Sequence, residues 1–119
     1  RDSPHAIKAF VDSLGDFSYN KLIIIFGAMK DKKVDKMIEL LPNATYIATQ
    51  CKAERAMPAE KIAEIGEKKE KRFNVAKDIE ESLELARKMA GKNDLICIIG
   101  SLYLVGEARK ILREQYEIA

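Results

Sequence analysis

The chain has 119 residues, of which 47% are apolar and 34% charged, and this is enough for one domain with a buried core. Its 21 basic and 19 acidic residues nearly cancel, so the charge pattern predicts neither a nucleic-acid partner nor an anionic membrane surface. No stretch approaches the roughly 20 apolar residues of a membrane helix, and with only two cysteines, Cys51 and Cys97, we expect a reduced, cytoplasmic setting.

The apolar spacing predicts five helices that alternate with four strands. Ser3 as N-cap and Pro4 at the first helical position begin a helix that ends near Gly15. Asp31 and Asp78 are expected to cap the second and fourth helices, because an aspartate oxygen accepts a free N–H group of the first turn. The later helical stripes are predicted at 34–41, 58–66, 79–90 and 104–112, and the strands at 21–26, 44–49, 72–75 and 95–99.

This alternation predicts an α/β fold. Strands joined by helices of ten to fifteen residues form right-handed crossovers, which place the strands in a mostly parallel sheet with helices on both faces. The runs 21–26 and 95–99 are rich in isoleucine and leucine, a composition typical of strands that are buried on both faces. We therefore expect residues 1–119 to form one Rossmann-like, three-layer α/β/α sandwich.

Three predicted loops follow strands at the same edge of this sheet and carry polar side chains. The carboxyl edge of an open parallel sheet is the usual ligand site, and guanidinium and ammonium groups there suit a carboxylate or a phosphate. Each side chain also has a plain structural explanation, as a helix cap or as a solvated surface group. The candidate site residues on these loops are Asp31, Lys32, Arg55 and Ser101.

Several common motifs are absent. Gly100 and Gly106 are followed by Glu107-Ala108, whereas a phosphate-binding P-loop requires Gly-Lys-Ser/Thr at that point. No Gly-x-Gly-x-x-Gly follows a strand, which disfavours a dinucleotide site. No Gly-x-Ser-x-Gly is present either, and His5 is the only histidine, so a hydrolase triad or a zinc site has little support and no metal site is predicted here.

Four segments resemble one enzyme family. Residues 100–109, Gly-Ser-Leu-Tyr-Leu-Val-Gly-Glu-Ala-Arg, resemble the closing signature of the folylpolyglutamate synthase/dihydrofolate synthase family, within the Mur-ligase superfamily. Residues 27–34 resemble its segment with an Asp-Lys-Asp core, residues 54–60 its Pro-Arg-Ala loop, and residues 4–6 the positions just after its Asp-Gly-Ala-His-Asn motif. The matches lie in the family's order and span nearly the whole chain.

The chain also departs from the family's pattern. Lys33 stands at the third position of the Asp-Lys-Asp core, which reverses a charge, and Glu54 stands where proline is usual. Aligned on Pro4, Asp2 occupies the place of the histidine in the opening motif. The charge reversal disfavours a metal or ribose contact at position 33. The role of the histidine in the family's opening motif does not carry over to Asp2.

The resemblance implies that residues 1–119 are the C-terminal glutamate ligase domain of a longer enzyme. Such enzymes use ATP to phosphorylate a carboxyl group of a folate or pteroate, and the amino group of L-glutamate then displaces phosphate to form an amide. ATP and Mg²⁺ are bound mainly by an N-terminal domain that is absent from this sequence, and the C-terminal domain closes on it as a lid.

The same resemblance implies roles for the candidate residues. Ser101 would contact the carboxylate of glutamate, with Arg55 or Lys32 as its charge partner. Asp31 would support these groups or lie on the nucleotide side. The isolated domain is expected to be inactive.

Other interpretations stay open. The chain could belong to another Mur-type amino-acid ligase, or it could be a stand-alone binding module of flavodoxin-like topology, which would bind its ligand unaided. A purely structural domain is a third possibility. The sequence alone does not distinguish addition of the first glutamate from addition of later ones, nor a folate acceptor from another pterin or a deazaflavin.

Overall fold

The computed structural model describes residues 3–116, and its elements alternate in the predicted order. A single 3-10 turn, Leu14–Asp16, follows the first helix. The helices are α1 (Pro4–Ser13), α2 (Val34–Glu39), α3 (Ala59–Lys68), α4 (Ile79–Met89) and α5 (Leu102–Tyr116), and the strands are β1 (Leu22–Gly27), β2 (Thr45–Ala48), β3 (Phe73–Val75) and β4 (Leu95–Gly100).

The four strands form one sheet in the order β3-β2-β1-β4, and every pair is parallel. In β1, Ile24 lies opposite Tyr46 of β2 on one side and opposite Cys97 of β4 on the other. The carboxyl ends of all four strands therefore meet at one edge, where the loops with the candidate residues begin. The predicted α/β class with a parallel sheet is confirmed.

The core consists of two apolar layers, one on each face of the sheet. Ile24 and Phe26 of β1 pack in the layer formed by α1, α2 and α3. Ile23 and Ile25 point to the opposite face and pack in the layer formed by α4 and α5. This alternation follows from the two-residue period of a strand, and it produces the expected three-layer sandwich.

Two of the predicted helix caps are present and the third is not. The Ser3 side chain accepts the N–H of Ala6, and Asp78 accepts that of Glu81 at 2.8 Å. The prediction for Asp31 was wrong, because α2 begins only after Lys33, whose side chain makes no capping bond. Asp31 lies two residues before Lys33, in a turn, and its carboxylate pairs instead with the guanidinium of Arg55.

The prediction that β4 is buried on both faces was also wrong. All six of its residues are half-buried, whereas every residue of β1 is fully buried. The cause is position, because β4 is at the edge of the sheet and pairs only with β1 within residues 3–116.

No helix in this part of the chain is long and apolar enough to cross a bilayer. The comparison of Asp2 with the family histidine lies outside the described residues.

Candidate functional site

The loops that follow β1 and β2 are joined through their backbones at the carboxyl edge of the sheet. The N–H of Lys30 donates to the carbonyl of Arg55, and the N–H of Met57 donates to the carbonyl of Ala28, both at 2.8 Å. An antiparallel bridge lies between these two bonds. These contacts hold the two loops together as one unit, although the loops are distant in sequence. Arg55 lies at the outer end of this unit.

A salt bridge joins the same two loops through their side chains. Nη2 of Arg55 lies 2.6 Å from Oδ2 of Asp31, and the two side chains are 66% and 45% exposed. A guanidinium carries five N–H donors in a planar fork, more than this one contact uses. Arg55 is therefore oriented by Asp31 and can still bind a carboxylate or a phosphate from solution.

An open depression of about 260 Å³ lies beside this salt bridge. Two cations and one carboxylate contribute to it, so its charge favours an anionic ligand. Leu102 and Tyr103, at the start of α5, form its other wall, which is apolar. These two residues are 59% and 64% exposed. The lining residues are Met29, Asp31, Lys32, Arg55, Leu102 and Tyr103.

Ser101 lies beneath this wall and does not line the depression. Ser101 is only 1% exposed, and its Oγ accepts the N–H of Tyr103 at 3.1 Å, so this side chain caps the start of α5. A hydroxyl that accepts one bond still has its own proton to donate. The structure therefore brings three of the four candidate residues together at the surface and places Ser101 in the layer below.

Gly100 fixes where Ser101 lies. Its φ is +116°, and a Cβ added to it would lie 2.0 Å from the carbonyl oxygen of Gly27. The N–H of Ser101 donates to that same oxygen at 2.8 Å. Because only glycine permits this approach, the start of α5 lies directly against the end of β1.

The loop after β2 has two further anchors that the sequence patterns did not reveal. Oε1 of Gln50 accepts the N–H of Ala59 at the start of α3, and Oε2 of Glu107 on α5 accepts the N–H of Lys52, both at 2.8 Å. Glu107 belongs to the Gly-Glu-Ala-Arg part of the closing signature, which was the one available signal for it. Tyr103 was visible in the same motif, but its exposure was not.

A larger depression of about 410 Å³ lies at the opposite edge of the sheet and is lined by residues 17–20 and 92–95. Its carboxylate, Asp94, already accepts the N–H groups of Lys21 and Gly91. Among these lining residues, Lys92 is the one cation. We therefore place the candidate site at the carboxyl edge, where ligands of open α/β sheets bind.

Neither cysteine is suited to act as a nucleophile. Cys51 is buried in the layer formed by α4 and α5. Burial raises the pKa of the Cys97 thiol, which disfavours the reactive thiolate. Among residues 3–116, no three His, Cys, Asp or Glu side chains lie close enough together to hold a metal ion.

Similar proteins identify the family. The family model described as "Mur ligase, glutamate ligase domain" matches residues 2–102. A probable bifunctional folylpolyglutamate synthase/dihydropteroate synthase of Haloferax volcanii is 31% identical over 110 residues, which is 90% of this chain and 13% of the relative. A dihydrofolate synthase/folylpolyglutamate synthase of Bacillus subtilis is 27% identical over 100 residues, covering 82% of this chain and 23% of the relative.

Solved structures show the same fold. A folylpolyglutamate synthase of Mycobacterium tuberculosis complexed with ADP superposes with a TM-score of 0.86 at 21% identity, over 93% of this chain and 28% of that one. A bifunctional folylpolyglutamate synthase/dihydrofolate synthase with Mn, AMPPNP and L-glutamate bound gives a TM-score of 0.84 at 20% identity, over 95% of this chain and 27% of that one. This chain thus spans 13–28% of the length of these proteins.

The match over residues 2–102 covers most of the chain, and the sheet order and helix layers agree with it. It also agrees with the resemblance that the motifs at 27–34, 54–60 and 100–109 predicted. The chain belongs to the glutamate ligase domain family of the Mur ligases.

Proposed function

We propose that residues 1–119 are the C-terminal domain of a longer, ATP-dependent folylpolyglutamate/dihydrofolate synthase. Both relatives in sequence carry folylpolyglutamate synthase in their names, and the Bacillus subtilis relative carries dihydrofolate synthase as well. This chain corresponds to 13–23% of their length. The observation that carries the proposal is the rim at the carboxyl edge, where the Asp31–Arg55 pair and Lys32 lie in one depression.

In the reaction that we propose, a carboxyl group of a folate or pteroate takes the γ-phosphoryl group of ATP, and ADP leaves. The amino group of L-glutamate attacks the resulting acyl phosphate, an amide bond forms, and inorganic phosphate and a proton are released. Glutamate brings two carboxylates to this step, so its binding requires cations that hold them away from the reacting amine. Arg55 and Lys32 are cations of this kind on the described surface.

We assign Arg55 to a carboxylate of glutamate, because its planar fork binds that group in a bidentate manner. Asp31 would hold the guanidinium in position, and Lys32 would add positive charge. Ser101 would contribute mainly by holding the start of α5 in place, since its side chain is buried and used as a cap. A direct contact between the Ser101 hydroxyl and glutamate would require this buried group to become accessible.

The described residues fit only part of the nucleotide's requirements. The cations of the rim can contact a phosphate oxygen of ATP, but the one carboxylate there is already paired with Arg55. Bound Mg²⁺ would neutralise phosphate charge during transfer. We therefore assign the Mg²⁺ ligands and the phosphate loop to the preceding domain. The two domains would act together in the cytoplasm.

The open shape of the site favours a domain that closes on another over a stand-alone binding module. Leu102 and Tyr103 are more than half exposed beside the charged rim. A self-sufficient pocket would instead enclose most of its ligand's surface. The apolar wall is suited to contact a second domain, which would complete the pocket.

The activity can be tested on the full-length protein with ATP, L-glutamate and either dihydropteroate or a reduced folate. The proposal predicts a product heavier by one glutamyl residue, with one phosphate released for each product molecule. Absence of product with every acceptor would contradict it. Tight binding of FMN to the 119-residue chain, measured by isothermal titration, would instead favour the flavodoxin-like alternative.

A further inference from the structure

We propose that Glu107 is a positioning residue for the ligase reaction, because it ties the loop that carries Arg55 to helix α5. This inference rests on the proposed function, in which Arg55 binds the incoming glutamate. Glu107 lies outside the depression itself and would act only through the loop.

The contact is a hydrogen bond from backbone to side chain. Oε2 of Glu107 accepts the N–H of Lys52 at 2.8 Å, shortly after the end of β2, where the backbone has left the sheet. A bond between a carboxylate and a backbone N–H is charge-assisted and stronger than a neutral one. The near end of the loop is thereby held at one defined distance from α5.

Helix α5 is a firm support for this bond. Leu104 and Ala108, on either side of Glu107 along the helix, are buried against the sheet in the layer formed by α4 and α5. Leu102 and Tyr103, at the start of the same helix, form the apolar wall of the depression. One rigid element therefore carries both a wall of the site and the anchor of the loop opposite.

The far end of the loop has different anchors. There, Arg55 is joined to the loop after β1 through its carbonyl, bonded to Lys30, and through its guanidinium, paired with Asp31. Loss of the Glu107 bond would leave these contacts and the packing of Cys51 in the layer formed by α4 and α5 in place, but it would remove the bond that holds the backbone of Lys52 to α5. We expect the guanidinium of Arg55 then to sample a wider range of positions relative to the wall, which weakens binding of glutamate more than it slows the chemical step.

The test compares variants of the full-length enzyme in steady-state kinetics with glutamate as the varied substrate. Glu107→Ala should raise KM for glutamate about three- to tenfold, with kcat within about twofold, because ground-state binding is lost. Glu107→Gln keeps an oxygen acceptor and should restore most of the loss. Glu114→Ala is the matched control, since this glutamate lies two turns further along α5 in the groove that Glu107 also lines, and should leave KM unchanged.

A double variant separates this inference from the proposed function. Arg55→Ala with Glu107→Ala should have the same KM as Arg55→Ala alone, because Glu107 acts through Arg55. If Arg55→Ala leaves KM unchanged, the proposed role of the rim is wrong and this inference fails with it. If Arg55→Ala raises KM but Glu107→Ala does not, or if Gln fails to restore it in a normally folded protein, the positioning role alone is overturned.

Discussion

Nη2 of Arg55 lies 2.6 Å from Oδ2 of Asp31, across a gap of 24 positions in the sequence. The contact exists because β1 and β2 are parallel neighbours, so that the loops after them begin at the same edge of the sheet. It gives that edge an oriented guanidinium beside the exposed wall of α5. Substitutions can separate the contacts that hold the domain together from those that equip this edge for binding.

The Asp31–Arg55 pair should contribute little to stability. Both side chains are largely exposed, and exposed ion pairs are typically worth about 0.2–1 kcal/mol. Asp31→Asn should therefore lower the free energy of unfolding in urea by less than about 1 kcal/mol, and the difference should shrink in roughly 0.5 M salt because salt screens the pair. A loss of several kcal/mol would show that the pair holds the fold and is not a feature of the site.

Gly100 should be indispensable to the fold. Gly100→Ala places a methyl group against the backbone of Gly27 and requires a positive φ, so the unfolding free energy should fall by at least about 2 kcal/mol. Gly106→Ala is the control, because an added Cβ there meets nothing within 4 Å, and it should stabilise α5 by up to about 1 kcal/mol. Equal effects of the two substitutions in urea unfolding would contradict this account of the β1–α5 junction.

Gln50 should stabilise the start of α3, because the residue at the N-cap position of this helix provides no capping side chain. Pro58 occupies the cap position and makes no side-chain bond there, while Gln50 accepts the N–H of Ala59 from outside the helix. Gln50→Ala should cost about 1 kcal/mol of unfolding free energy, as the loss of a cap does. Gln50→Glu keeps the acceptor and adds a negative charge at a helix N-terminus, so its stability should equal or exceed that of the parent.

Cys97 should react slowly with alkylating reagents in the folded protein. Burial raises the pKa of its thiol, so at about pH 8 its thiolate fraction is smaller than that of an exposed cysteine. Peptide mapping after iodoacetamide treatment should show little labelling at that pH, more as the pH rises, and full labelling in urea. Fast labelling of native protein under the same mildly alkaline conditions would contradict the burial.

The direction of the associated stability change follows from the same shift. The native state keeps the Cys97 proton at a pH where the unfolded chain has lost it. Its contribution to stability is therefore fully present below the ordinary thiol pKa and is lost as pH rises through the raised native value. The free energy of unfolding should decline in that alkaline range, and the decline should be smaller in Cys97→Ala.

Local signals predicted most of the fold. The apolar run of β1, the Ser3 and Asp78 caps and the stripes of the helices are properties of neighbouring residues, and each is present in the structure. The edge position of β4 depends on strand order, which no local pattern encodes. Its composition was therefore mistaken for that of a central strand.

The candidate site was predictable only in part. A parallel topology is sufficient to bring the loops with Asp31 and Arg55 to one edge. The burial of Ser101 follows from the close approach of Gly100 to Gly27, which no spacing reveals. The bond from Glu107 to the loop likewise depends on how α5 is rotated against the sheet, a long-range property of packing.

The most direct test of the rim's role is the dependence of ligase activity on glutamate in the full-length protein with Arg55→Ala. A charge-assisted bond lost from a bound carboxylate corresponds to about tenfold or more in affinity. We therefore predict that KM for glutamate rises by at least about tenfold while the free energy of unfolding falls by less than about 1 kcal/mol, the amount expected for loss of the exposed pair with Asp31. Arg72→Ala, just before β3 at the opposite edge of the sheet, should leave KM unaltered. An Arg55→Ala enzyme with the parent's KM and normal folding would contradict the claim that this edge binds the amino-acid substrate.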